Sequence, residues 1–179
     1  MRLLRRGDRR FARQPALPLL GLVSAIFFLV SQPTLAVVND RPWVGTQDTN
    51  WGTNNNWNGN QAPSAGDNAK FNNLFTTSNQ PNVGGNTSVG GIWMTTGVGK
   101  NVTISGAGIL QIGGNTINGT AGLGILIDNT DAFTLTINCP VKLGGASETW
   151  RNNSGNLLTI GGTVGSCHRQ SHERDRFIG

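Results

Sequence analysis

The clearest pattern along the chain begins at Thr87, where short aliphatic or β-branched runs are cut by Gly and Asn pairs. The runs are Val89 to Met94, Val102 to Ser105, Ile109 to Ile112, Gly124 to Asp128, Phe133 to Asn138, Val141 to Leu143 and Leu157 to Val164. Between them stand Gly113-Gly114-Asn115, Asn118-Gly119, Asp128-Asn129, Gly144-Gly145, Asn152-Asn153 and Gly161-Gly162. Short apolar runs bounded by such turn residues predict strands joined by tight turns. Val102 and Ile104 alternate with Thr103 and Ser105, and Phe133, Leu135 and Ile137 alternate with Thr134 and Thr136. A period of two gives each strand one apolar face and one Thr-rich face.

Apolar positions also recur at a distance. Ile92 to Ile112, Ile104 to Ile127 and Ile137 to Ile160 are set apart by a similar interval. Several short strands within a period of roughly 20–25 residues predict an all-β solenoid, in which each coil stacks on the last and the inward aliphatics form a narrow continuous core. Neutral Asn and Thr suit stacking, because like residues line up in hydrogen-bonded ladders where like charges would repel. A small β-sandwich is the alternative consistent with the same alternation.

Residues 37–86 differ in character. Trp43, Trp51 and Trp57 are scattered among Asn, Gly and Thr, followed by the turn-forming run Ala62-Pro63-Ser64-Ala65-Gly66-Asp67. Without periodic aliphatics this segment makes no core of its own, and it is expected to cap the coils formed by 87–165. The same tryptophans are candidates for glycan stacking, since an exposed aromatic ring offers a flat amphipathic surface.

Composition and charge narrow the partners. Gly, Asn and Thr together make up nearly half of the stretch 37–166, which disfavours helices. The chain of 179 residues carries a formal charge of +5, but residues 1–36 hold six Arg against one Asp, whereas 37–166 carry five basic and six acidic side chains. The body is nearly neutral, so no nucleic-acid surface is expected. The basic leader, its apolar run from Leu17 to Val30 and the small-residue exit at Thr34-Leu35-Ala36 read as a signal peptide, 1–36, cleaved after Ala36. The apolar run is shorter than the roughly 20 residues that span a bilayer, so no stable membrane span is expected after cleavage. The expected partners are the export machinery, through the leader, and cell-surface or extracellular glycans or proteins. The expected location is the cell surface or the extracellular space, with the periplasm or outer membrane as alternatives.

The run W-V-G-T-Q-D-T-N-W-G-T-N-N-N-W-N-G-N-Q-A-P-S-A-G-D-N-A-K-F, Trp43 to Phe71, resembles the opening segment of bacterial autotransporter-associated β-strand repeat proteins. V-G-G-I (Val89 to Ile92), G-A-G-I-L-Q-I (Gly106 to Ile112) and G-N-L-L-T-I-G-G-T-V (Gly155 to Val164) are similar to the repeat strands of that family. The resemblance covers roughly residues 43 to 165. It implies a right-handed parallel β-helix in an exported, surface-associated or secreted protein of structural or adhesin-like role. Members commonly continue for hundreds of residues into a barrel or sorting signal. Here residues 166–179 form a polar tail that breaks the composition, expected to be disordered and to mark a truncated or frame-shifted reading.

Catalytic chemistry is not assembled in the pattern. Residues 37–166 contain no His and the chain no G-x-S-x-G, so neither nucleophile triad nor nucleophile elbow is formed. Carboxylates come from Asp40, Asp48, Asp67, Asp128, Asp131 and Glu148. Asp128 and Asp131 flank a turn, the one pairing that keeps a polysaccharide-active enzyme in view beside a carbohydrate-binding module. Turn acids more often accept backbone N–H bonds. Cys167, His168 and His172, with Glu173 adjacent, give C-H-x3-H without a fold to hold zinc, so no metal is expected. Cys139 reads as a small core residue, with a disulfide to Cys167 as the alternative. Gly97-x-Gly99-Lys100 lacks the remaining elements of a phosphate loop, and no cofactor is expected. Thr134-x-Thr136 has the spacing that an ice-binding face repeats on every coil, but a single clear copy makes no array.

Overall fold

The computed structural model describes residues 37–166 apart from Asn129 and Ala146. The leader with its cleavage after Ala36, the apolar run Leu17 to Val30, and the tail from Cys167 lie outside the described residues. Among the described residues there are thirteen strands: β1 (Asp40–Pro42), β2 (Asn68–Phe71), β3 (Thr87–Val89), β4 (Gly91–Met94), β5 (Val102–Ile104), β6 (Leu110–Ile112), β7 (Asn115–Ile117), β8 (Thr120–Ile127), β9 (Leu135–Ile137), β10 (Val141–Leu143), β11 (Thr149–Asn152), β12 (Leu158–Ile160) and β13 (Val164–Gly165). The helical content among them is one 3-10 turn, Asn54–Asn56. Among the described residues no helix is long and apolar enough to cross a membrane.

The strands form three sheets, and none closes into a barrel. The first runs β1-β2-β4-β8-β11, the second β3-β6-β10-β13 and the third β5-β9-β12. Every pairing along these orders is parallel. From β4 onward the chain visits the first, third and second sheets in strict rotation, interrupted only by β7, which folds back antiparallel on β8. Asn68 to Gly91, Thr87 to Leu110, Leu135 to Leu158 and Val141 to Val164 are register partners one short circuit apart. The same separation of 23 lets the Gln80 and Asn86 side chains accept the backbone N–H groups of Thr103 and Ile109 on the next circuit. Ile92 to Ile125 and Val102 to Leu135 span a longer circuit, because it contains the β7 hairpin. Across that circuit Asn101 accepts the Thr134 N–H at a separation of 33.

The expected recurrences are therefore corrected in part. Ile137 and Ile160 are partners. Ile92 pairs with Ile125 and Ile104 with Ile137, while Ile112 and Ile127 lie in the second and first sheets. The hairpin insertion lengthens one circuit and defeats a fixed period. The run Val89 to Met94 divides at Gly90 between two sheets, and Leu157 to Val164 divides likewise. Two strands, β1 and β2, fall within 37–86 and already belong to the first sheet.

Inward positions fill one elongated core. Ala69, Ile92 and Ile125 stack in the first sheet, Val89 and Ile112 in the second, and Ile104 and Ile137 in the third, all essentially sealed. Each large aliphatic side chain among them contributes about 1.5–3 kcal/mol of transfer free energy relative to exposure. Corners are tight. At Gly106, φ is +123° and a Cβ would run into the backbone of Val83, so only glycine lets the two circuits approach there. The β7 hairpin turns at Asn118 (φ 47°) and Gly119 (φ 75°), the two positive φ values of a type I′ turn. It covers part of the outer face of the first sheet, where Ile117, Leu123 and Leu126 make a second, small core with Trp93 against it.

Candidate functional site

At the N-terminal end of the stack, Trp57 packs edge-on against both Trp43 and Trp51, with ring centroids 4.9 Å apart in each case, a favoured aromatic geometry. Trp43 Nε1 donates to the Asn79 carbonyl at 2.9 Å and Trp57 Nε1 to the Trp51 carbonyl at 2.7 Å. Exposures of 0, 2 and 1 % for Trp43, Trp51 and Trp57 leave no ring face to solvent, so stacking on a glycan would first require these rings to come out of the core. The loop around them is held by Asn56, whose side-chain oxygen accepts the backbone N–H groups of Gln47 and Asp48 at 3.0 Å. Asn56 Nδ2 in turn donates to Asp48, and this bond first of all holds the Asp48 carboxyl below its usual range.

The D-N-A-K-F motif at Asp67 to Phe71 has a structural reason at each position. Asp67 accepts from the Ser64 backbone N–H (3.0 Å) and hydroxyl (2.7 Å) and from Asn39 (3.0 Å), with Arg41 3.7 Å away. Burial pushes its carboxyl up, but these bonds outweigh it and the net shift is downward. Asn68 is buried and donates to Asp40 and the Thr116 carbonyl. Ala69 and Phe71 point inward, and Lys70 lies outside, 3.9 Å above the Trp93 ring and 3.2 Å from Asp40.

The remaining candidate groups are spread through the fold. Asp128 accepts from Trp93 Nε1 (3.0 Å) and Asn118 Nδ2 (3.3 Å), and Asp131 accepts from the Gly97 backbone N–H at 2.6 Å. Each carboxylate thus ties a different segment, Asp128 the Trp93 strand and the β7 hairpin turn, Asp131 the turn at Gly97. Lys100 Nζ donates to the carbonyls of Thr76 and Thr77 at 2.9 and 2.5 Å, so the Gly97 to Lys100 segment works as a clamp between circuits. Cys139 is a buried thiol in the core, its pKa pushed up by burial. Its candidate partner Cys167, with His168, His172 and Glu173, lies outside the described residues. Among the described residues no three His, Cys, Asp or Glu side chains gather around a point that a metal could occupy.

Two features were not legible beforehand. The first is an outer groove lined by Asn86, Thr87, Ser88, Ile109, Gln111 and Lys142, which adjoins a second hollow at Asn50, Gly52, Gly84 and Gly85. Ser88, Gln111 and Lys142 are register partners on successive strands. Their types suggest hydrogen bonding to a polar ligand, but only the register aligns them. On the third sheet, Thr103, Thr136 and Thr159 form one such column, more than the single copy visible from the Thr134-x-Thr136 spacing. The column beside it, Asn101, Thr134 and Leu157, is not a threonine one.

The second lies at the C-terminal end. Both carboxylate oxygens of Glu148 and the Nε1 of Trp150 are buried without a hydrogen-bond partner. The space they occupy exists because residue 124 is glycine: a Cβ there would sit 2.8 Å from Trp150 Nε1 and 2.9 Å from Glu148 Oε2. Burial pushes the Glu148 carboxyl up, and the Trp150 N–H, close enough to act on the charge without completing a good hydrogen bond, offsets only part of that. No match is found among family models, curated proteins or solved structures.

Proposed function

We propose that this chain is an exported, non-enzymatic parallel β-helix protein with a structural or adhesin-like role at the cell surface, as the resemblance to autotransporter-associated repeat proteins implies. The observation that carries the reading is the rotation of parallel strands through three sheets, each strand in register with one on the preceding circuit. Such a stack gives length and broad side faces from little sequence information, which suits display rather than turnover. The right hand follows from the resemblance and from the general preference of parallel crossovers. Asp67, Asp128 and Asp131 are engaged in bonds that hold segments together, which favours a structural use of the carboxylates. Expression of the full chain in a Gram-negative host, with N-terminal sequencing and protease shaving of intact cells, tests export. Val37 as the new N-terminus on a shaved, surface-exposed product is expected; a cytoplasmic product that retains Met1 would sink the proposal.

A carbohydrate-binding module on the same scaffold is the second reading, and the groove along Ser88, Gln111 and Lys142 favours it. Glycan-array binding that is lost in Gln111→Ala with folding intact would support the module. Trp51→Ala and Trp57→Ala serve as the complementary pair: collapse of folding in them fits a cap, whereas selective loss of sugar binding fits stacking.

A further inference from the structure

On much of the stack, polar side chains tie one circuit to the next. Gln80, Asn86 and Asn101 accept backbone N–H groups of the following circuit. Lys70 is held by Asp40, and Lys100 by the Thr76 and Thr77 carbonyls. The column Ser88, Gln111 and Lys142, side by side on β3, β6 and β10, is used differently. None of its three side chains has a hydrogen-bond or ion-pair partner among the described residues.

Neighbouring strands lie about 4.8 Å apart, so the column presents these groups over about 10 Å along the stack. Glycines keep it open. Gly165 is the register partner of Lys142 on β13, so no side chain of that strand stands beside the ammonium. Gly144 leaves room for the Gln111 amide, since a Cβ there would come 3.1 Å from its Nε2. Ile109, 38 % exposed, gives the groove an apolar flank. The adjoining hollow is open at Gly84 and Gly85, where an added Cβ would meet nothing within 4 Å.

We propose that this column binds an acidic polysaccharide, with the carboxylate of a uronate ring on Lys142 and hydroxyls of neighbouring rings on Gln111 and Ser88. The proposal rests on the carbohydrate-module reading above and names its ligand class. A pyranose ring has apolar C–H faces and a polar rim, and the groove offers the matching surfaces, Ile109 beside three polar side chains. Charge selects the acid: among the described residues, Lys142 is the one cation lining the groove or the hollow, and no carboxylate lines either. The single cation also selects the kind of polymer. A nucleic-acid strand carries a charge at every linkage and is met by several Lys and Arg, whereas one ammonium beside an amide and a hydroxyl suits a chain that presents mainly hydroxyl groups.

A glycan array carrying uronate oligosaccharides, the same oligosaccharides as methyl esters, and neutral glycans tests this with the full chain. Binding to the free acids over their esters is expected, weakening as salt is raised. Calorimetric titration with the best free acid should show affinity about tenfold lower in Lys142→Gln and retained in Lys142→Arg, with melting temperatures unchanged. Equal binding of acid and ester, or acid binding that survives Lys142→Gln, would overturn the proposal. The comparison of acid with ester uses the wild type, so it decides the matter even if a variant fails to fold. Binding of neutral glycans alone, lost in Gln111→Ala, overturns the acidic ligand and leaves the module reading standing; binding of no glycan overturns both.

Discussion

Ile137 and Ile160 are register partners in the third sheet, yet Ile137 is fully sealed and Ile160 keeps part of its side chain in solvent. The same position in the repeat is thus a core residue in one circuit and a boundary residue in the next. Truncation should separate them. Ile137→Ala removes buried methyl groups and leaves a cavity, for a cost of about 2–5 kcal/mol. Ile160→Ala should cost less than the lower end of that range, since water already reaches it. Urea denaturation of the two variants under conditions where the wild type is monomeric checks this, and equal losses would count against an open last circuit.

Glu148 should give the fold an unusual pH dependence. Burial raises its folded carboxyl above the ordinary value of 4.5, so the folded state holds its proton more tightly than the unfolded chain. Its contribution to stability is full below 4.5 and is lost as pH rises through the folded value. Melting temperature should therefore fall across that window in the wild type and stay flatter in Glu148→Gln. Parallel curves for the two proteins would show that the carboxyl is not held in this environment.

Asp67 acts with the opposite sign. Its folded carboxyl lies below 3.8, so its stabilisation is present above that value and is lost as pH falls through the folded one. Asp67→Ala strips partners from the Ser64 backbone N–H and hydroxyl and from Arg41. A loss of about 1–3 kcal/mol is expected at neutral pH, shrinking in acid. The acid limb of a stability–pH curve for wild type and variant checks both points.

The five tryptophans should divide into two classes. Trp43, Trp51 and Trp57 are sealed, while Trp93 and Trp150 are partly exposed. Acrylamide should quench a fraction of the emission, and a variant with Trp93→Phe and Trp150→Phe should keep a blue-shifted, poorly quenched spectrum. Efficient quenching in that variant would put the N-terminal tryptophans at the surface and revive stacking on glycans.

The strands with clean alternation, such as β5 and β9, were legible because Val102 and Ile104 point inward and Thr103 outward, as period two requires. The Asn118-Gly119 turn was legible from its dipeptide chemistry, though the strand preceding it was not. What escaped were relationships set by non-local register. Ile92 and Ile104 find their partners at Ile125 and Ile137, a longer circuit on, because a hairpin that packs outside the sheet interrupts the period without disturbing the stack. β11 was invisible for a different reason: Thr149-Trp150-Arg151-Asn152 has one apolar residue, and only its partner strand and a bulge at Thr149 and Trp150 define it. The Glu148–Trp150 arrangement needs Gly124 from the preceding circuit, a contact that no local pattern announces.

Successive circuits lie in parallel register, and the threonine column on the third sheet lets that register be measured directly. Nitroxide labels are placed at Thr136→Cys and Thr159→Cys, with Cys139 and Cys167 replaced by Ala, in a dilute monomeric sample. Adjacent strands are about 4.8 Å apart, so the continuous-wave EPR spectrum should be strongly dipolar-broadened, and more so than for labels at 103 and 159, two strands apart. A spectrum for 136 and 159 equal to the sum of the two single-label spectra would contradict the stack.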